Sequence, residues 1–184
     1  TLTPTISSPT IGQNGTLRVG IDADGGAPFV TSSSSASYAG IDVDMAAALA
    51  DQLGLKLELV DVAGNASSAL ADGDVDIVMS QTSTEKSSTM WVSDPYIETG
   101  VALFASNGST TVPESVQASS IAAQSSSTSA WAVQNAFGDD ALNPASDLVS
   151  AFSLVETGKS QYVAADAVIG SYAALVQSVD VQPI

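Results

Sequence analysis

The sequence predicts an α/β protein of two lobes, each a mainly parallel sheet flanked by helices. Three observations carry that expectation. Strand-like and helix-like runs alternate from Thr16 to Ala105, the order that a parallel sheet with crossover helices requires. A turn-rich stretch, "SNGSTTVPES", then interrupts the chain, and a second alternating set follows it. The two sets also echo each other. "SSALADGDVDIVM" (Ser67 to Met79) and "SAFSLVETGKSQYVAA" (Ser150 to Ala165) both run short helix, glycine, strand.

Taken in order, the opening "TLTPTISSPTIGQNG" is polar and rich in Ser, Thr and Pro, so residues 1–14 are expected to form a flexible tether outside the fold. "TLRVGI" (Thr16 to Ile21) is a short, mostly apolar strand that ends at Asp22 and Asp24. "GIDVDMAAALADQLG" is a helix, with Asp42 or Asp44 as its cap and Gly54 as its C-terminal stop. "LKLELV" alternates as a strand does, "ASSALADG" is a short helix, and "VDIVMS" and "TGVALFA" are further strands. These elements make a first lobe over residues 15–105, followed by a hinge over 106–112 and a second lobe over 113–184. In the second lobe, "SIAAQ" is a strand and Thr128 to Phe137 a helix. A Gly/Asp/Pro turn, a helix near Asp147 to Glu156, strand "SQYVAA" and helix "AVIGSYAALVQS" complete it.

Composition narrows the chemistry. Twenty acidic residues against Arg18, Lys56, Lys86 and Lys159 give a formal charge of −16, which leaves no basic patch for nucleic acid or an anionic membrane. The chain has no His and no Cys, so nucleophilic triads, thiolate zinc sites and imidazole–metal sites are excluded, and no metal or cofactor is expected. No apolar run is long enough to span a membrane.

Asp-x-Asp recurs along the chain. Asp42/Asp44 stands at a helix start, where capping and the helix dipole explain it. Asp72/Asp74/Asp76 surrounds Gly73 and is expected to be a solvated turn. Asp22/Asp24 differs, because it follows a strand and runs into Gly25 and Gly26. Ligands of open α/β sheets bind outside the carboxyl ends of the strands, so this pair is either a binding-site mouth or a polar turn. "QSSSTS" similarly reads either as a flexible linker or as a helix start whose free N–H groups suit an anion. Trp91 and Trp131 are expected to pack in the core, with stacking on a ligand as the alternative.

Four segments, "LRVGIDADGGAPF", "YAGIDVDMAAALADQLGLKLELV", "GDVDIVMS" and "TEKSSTMWVSDPYIETGVALFA", together resemble the extracellular solute-binding proteins of amino-acid ABC transporters, the polar amino-acid (family 3) class. "IAAQSSSTSAWAV" and "VETGKSQYVAADAVIGSY" extend the likeness to the second lobe. The resemblance implies the type II periplasmic-binding-protein fold, two lobes that close by hinge motion on a small ligand. It implies a monomeric, non-enzymatic, extracellular protein, lipid-anchored to the membrane through its N-terminus. Its partners would be an amino-acid-like or cationic amine solute and a membrane permease. It places the ligand's ammonium on Asp166 and its carboxylate on Ser126 and Ser127. Ser80, Gln81 and Ser83 would line the first-lobe wall, and Asp22 would read the ligand's side chain.

The departures from the family pattern are equally specific. Lys86 aligns with the family's carboxylate-clamping Arg and lacks its bidentate fork, so it is either a weaker clamp or a surface lysine. Gly26 and Ala63 align with the family's stacking aromatics. The family's return to the first lobe would follow "DVQPI" and is expected to be missing. The same fold also serves as the sensing domain of receptors and kinases. Some relatives are dehydratases, for which Glu85 and Asp166 are the candidate general acids.

Overall fold

The computed structural model describes residues 2–34, 37–81, 90–106 and 108–184. The chain divides into two compact units, Thr1–Asp94 and Pro95–Ile184.

The first unit begins with β1 (Thr16–Ile21), followed by a polar hairpin of β2 (Thr31–Ser34) and β3 (Ser37–Ala39). Then come α1 (Ile41–Leu53), β4 (Lys56–Asp61), α2 (Ala66–Ala71) and the two-residue β5 (Ile77–Val78). The sheet order is β4-β1-β5 and both pairings are parallel. Val19 and Ile21 from β1 pack with Ala46 and Ala50 from α1, a face fixed by the helix period. Gly54 stops α1 as expected. It is left-handed (φ +67°), its N–H donates to Asp51 O at 3.0 Å, and Leu55 N–H donates to Ala50 O at 2.9 Å.

The start of α1 differs from the expectation. Its N-cap is Gly40, and no side chain caps it. Pro28 O and Phe29 O accept from Ile41 N–H and Asp42 N–H at 3.0 and 3.1 Å, so neighbouring backbone does the capping. Gly40 is at φ +124°, and a Cβ there would run into Phe29 O, so the approach requires glycine. Asp42 and Asp44 sit inside the first turn, where the helix dipole favours carboxylates.

Two further expectations change in this unit. Residues 2–14 are not a free tether. Ile11 is 3% exposed in the core, Ile6 packs beside it, and Thr5 N–H donates to Leu53 O at 2.9 Å. Two apolar side chains among the polar ones suffice to dock the segment. The Asp72/Asp74/Asp76 turn is solvated only at its first two members. The Asp76 side chain is 6% exposed and pairs with Arg18 at 3.0 Å. It also accepts from Gly12 N–H at 2.7 Å and Arg18 N–H at 2.8 Å, while Arg18 Nη1 donates to Gly73 O at 2.8 Å. One carboxylate thus ties the N-terminal segment, β1 and the entry to β5 together. Burial opposes its ionisation, but the hydrogen bonds from Arg18 and Gly12 outweigh burial and hold its carboxyl below the usual range.

The second unit contains β6 (Val101–Ala105), β7 (Ile121–Gln124), α3 (Thr128–Phe137), a 3₁₀ turn (Asp139–Ala141) and β8 (Leu142–Ala145). These are followed by α4 (Leu148–Glu156), β9 (Tyr162–Asp166), α5 (Ala167–Gln177) and β10 (Gln182–Pro183). The sheet order is β10-β6-β9-β7-β8, with β7, β8 and β9 parallel and β6 antiparallel to β9 and β10. Side chains alternate between its two faces. Leu103, Ile121, Ala123 and Ala164 pack with Ala130 and Val133 of α3. Phe104, Ala122, Val163 and Ala165 pack with Phe152 of α4 and Ala174 of α5. Phe104 and Phe152 meet edge-to-face with centroids 5.8 Å apart. Gly170 leaves room for the Phe104 ring, which an added Cβ would meet at 2.5 Å.

The strand at 101–105, expected in the first lobe, therefore belongs to the second sheet, and the units divide at Asp94/Pro95 rather than across 106–112. An apolar strand shows its faces in the sequence but not its partner. Four short strands were not expected: β2 and β3 of the first unit, and β8 and β10 of the second. β8 carries Pro144, which the outermost position in the sheet tolerates, and β10 carries Pro183 at the opposite edge.

Ile11→Ala is expected to lower the stability of the first unit by about 2–4 kcal/mol, measured by urea unfolding; a free tether would show no change. Asp76→Asn is expected to cost about 1–3 kcal/mol at neutral pH. Because the native carboxyl is held low, its contribution is complete above the unfolded value of about 4 and is lost as pH falls through the native value. Parallel acid titrations of both proteins, followed by circular dichroism, should therefore begin to converge below about pH 4 and meet only once the native carboxyl is protonated.

Candidate functional site

In the second unit, the parallel strands β9, β7 and β8 lie side by side, and each leads into a helix at its carboxyl end. The first N–H groups of those helices need acceptors. For α3 the cap is Ser127, whose Oγ accepts from Ala130 N–H at 3.0 Å and donates to Gln124 O at 2.6 Å. Ser126 precedes it, exposed and left-handed at φ +57°. Ser125 is tied to Ala145 O through its N–H at 2.8 Å and its hydroxyl at 3.0 Å. "QSSSTS" is therefore a built helix start and not a linker. For α4 the cap is Asp147, which accepts from Ser150 N–H at 2.7 Å; that bond and the Ser150 hydroxyl hold its carboxyl below the usual range.

For α5 the cap is Asp166. Its Oδ1 accepts from Val168 N–H and Ile169 N–H, both at 2.9 Å, and its Oδ2 accepts from Thr99 Oγ1 at 2.8 Å. The β7–β9 register pairs Ile121 with Tyr162 and Ala122 with Val163. Ser126, Ser127 and Asp166 consequently stand on one edge of the sheet, just beyond adjacent strand ends. That edge offers helix N–H groups for an anion beside a carboxylate for a cation.

In the first unit, Asp22, Asp24 and Gly26 follow β1, while Ser80 and Gln81 follow β5, again all at the carboxyl edge. Asp22 Oδ1 accepts from Asp24 N–H at 3.0 Å, and Asp22 O accepts from Gly25 N–H at 3.0 Å, which folds the loop back on itself. Gly26 has φ +92°, and its carbonyl accepts from Phe29 N–H at 3.1 Å. Ser80 is left-handed at φ +60°, and Gln81 Nε2 donates to Met79 O at 3.3 Å. Ser83 and Lys86, with Glu85, lie outside the described residues.

Two further features were not foreseen. Asp61, ending β4, accepts from Ala23 N–H at 3.2 Å and Ala63 N–H at 3.1 Å and so pins the Asp22 loop. Its signal was an Asp at the end of a strand, as at Asp22. The tryptophans are the second correction. Trp91 is 87% exposed and Trp131, in the second turn of α3, is 65% exposed, so neither is a core residue. The face of α3 that meets the sheet is carried by Ala130 and Val133 instead.

Sheets whose carboxyl ends open into capped helix starts and carboxylate loops are the construction of small-ligand-binding α/β proteins. Comparison with known proteins makes the class specific. Residues 17–178 match the model of the bacterial extracellular solute-binding proteins, family 3, and the chain belongs to that family. No curated protein sequence matches it. Among solved structures, an ancestral cationic amino acid solute-binding protein is 28% identical, with a TM-score of 0.76 over 92% of this chain and 76% of its own. An ancestral arginine-binding protein bound to glutamine is 26% identical, with a TM-score of 0.55 over 94% and 79%. The L-cystine solute receptor of Neisseria gonorrhoeae, 22% identical, shares the fold with a TM-score of 0.74 over 92% and 73%.

Ser127→Ala is expected to destabilise α3 by about 1 kcal/mol through loss of the cap, read as a lower urea midpoint with an unchanged slope.

Proposed function

We propose that this protein is the substrate-binding component of an ABC transporter and captures a small amino acid or related amine, with a cationic side chain preferred. The observation that carries the reading is the Asp166 carboxylate, fixed by three donors beside the exposed start of α3. An α-amino acid needs an anionic acceptor for its ammonium and N–H or hydroxyl donors for its carboxylate, and that edge offers both. Family membership and a relative described as a cationic amino acid binder support the solute class. Asp22 and Asp24 support the cationic preference, since they add negative charge at the first unit's strand ends. Ser80, Gln81, Ser83 and Lys86 are proposed as further contacts, and Ser126 and Ser127 as the carboxylate site.

Binding is favoured over catalysis. One relative is described as a precursor of cyclohexadienyl dehydratase, and that reaction class needs a general acid. Both oxygens of Asp166 are engaged as acceptors, which suits an ammonium better than it suits proton donation.

Isothermal titration with L-arginine, L-lysine, L-glutamine and L-cystine tests the reading, with native mass spectrometry of the purified protein to detect retained solute. Asp166→Asn keeps a good helix cap but removes the charge. It is expected to lower affinity for an amine ligand at least about a hundredfold with little change in melting temperature. Unchanged affinity would remove Asp166 from the site, and a wild-type protein that binds none of the panel would sink the solute class.

A further inference from the structure

Asp166 has a partner that lies far away in sequence. Thr99 donates its hydroxyl to Asp166 Oδ2 at 2.8 Å across 67 positions of chain. The contact is anchored by the two residues that follow the threonine. Val101 is paired with Asp166 in the antiparallel β6–β9 register, and Ala167 N–H donates to Gly100 O at 2.8 Å. Thr99 is itself exposed and stands at the same edge as the carboxylate.

We propose that Thr99 is a specificity-determining residue that builds, with Asp166, a two-oxygen acceptor for a primary ammonium group. This rests on the amine-binding reading above and extends it to a residue outside the positions assigned there. Oδ1 already accepts two helix N–H groups, so the acceptor capacity left on the carboxylate lies on Oδ2. Thr99 occupies one direction around Oδ2 and thereby orients the other. Its hydroxyl proton is committed to the carboxylate, so the lone pairs of Oγ1 turn outward as acceptors. An ammonium has three N–H donors and can bridge both oxygens, whereas a ligand lacking the amine gains nothing from either.

The test compares wild type, Thr99→Val and Thr99→Ser by calorimetric titration with L-arginine and with 5-guanidinopentanoic acid, which keeps the side chain and carboxylate but lacks the amine. Thr99 is exposed, so both variants are expected to fold, which melting curves check. Thr99→Val should weaken L-arginine about three- to tenfold, Thr99→Ser should restore it to within about twofold, and the des-amino probe should bind all three proteins alike. Unchanged L-arginine affinity in Thr99→Val overturns the proposal, as does an equal loss for both probes or a failure of serine to restore binding. Asp166→Asn separates the two readings. If it loses L-arginine while Thr99→Val does not, only the role of Thr99 falls. If wild type binds neither probe, both readings fall for this ligand class.

Discussion

A helix that starts where a buried strand ends must find acceptors for its first N–H groups, and the second unit is organised around that need. Ser127, Asp147 and Asp166 supply side-chain oxygens at the starts of α3, α4 and α5. Parallel strands place those starts along one edge, so what completes the helices also gathers hydroxyls, carboxylates and free N–H groups in one place. Structural and ligand-directed roles are thus not alternatives at Asp166. Helix N–H groups hold one oxygen in place and leave the other turned outward.

The first unit depends on a different constraint. Among the described residues its sheet has three strands, one of them two residues long, and an unassisted sheet of that size has little to hold its short edge. Asp76 and Arg18 meet that deficit by bonding across the β1–β5 pair and capturing the N-terminal segment through Gly12. The clamp lies at the amino end of the strands, and the Asp22, Asp24, Ser80 and Gln81 loops lie at the carboxyl end. Asp61 does the corresponding work there by fixing the loop that carries Asp22. In the first unit the amino end of the sheet clamps the fold and the carboxyl end presents the polar groups, whereas in the second unit the carboxyl end does both.

Much of this was legible in the residues. β1 and α3 run over the stretches their patterns mark, and the Gly54 stop follows from local backbone chemistry. Ser127, Asp147 and Asp166 each open a helix within three positions of the N–H groups they bind, so no distant residue is needed to recognise them. The exposure of Trp91 and Trp131 was not legible, because hydrophobicity alone does not say which residues reach the core; at α3 that face is taken by Ala130 and Val133.

Local sequence was enough to fix the α/β alternation, the strand ends that carry the polar loops and the polar starts of α3 and α4, because each is written within a few residues. At α1 it was not, since backbone of Pro28 and Phe29 caps the helix in place of Asp42 or Asp44. Only the tertiary structure decided which sheet receives β6, that residues 2–14 are part of the first unit, and that Asp76 is a buried partner of Arg18 and Thr99 a partner of Asp166. Those contacts join residues 58 and 67 positions apart, and no periodicity or propensity spans such distances. They form where chain closure makes a buried carboxylate find a cation, or sets a hydroxyl beside a half-buried one, and that is a property of the packed molecule.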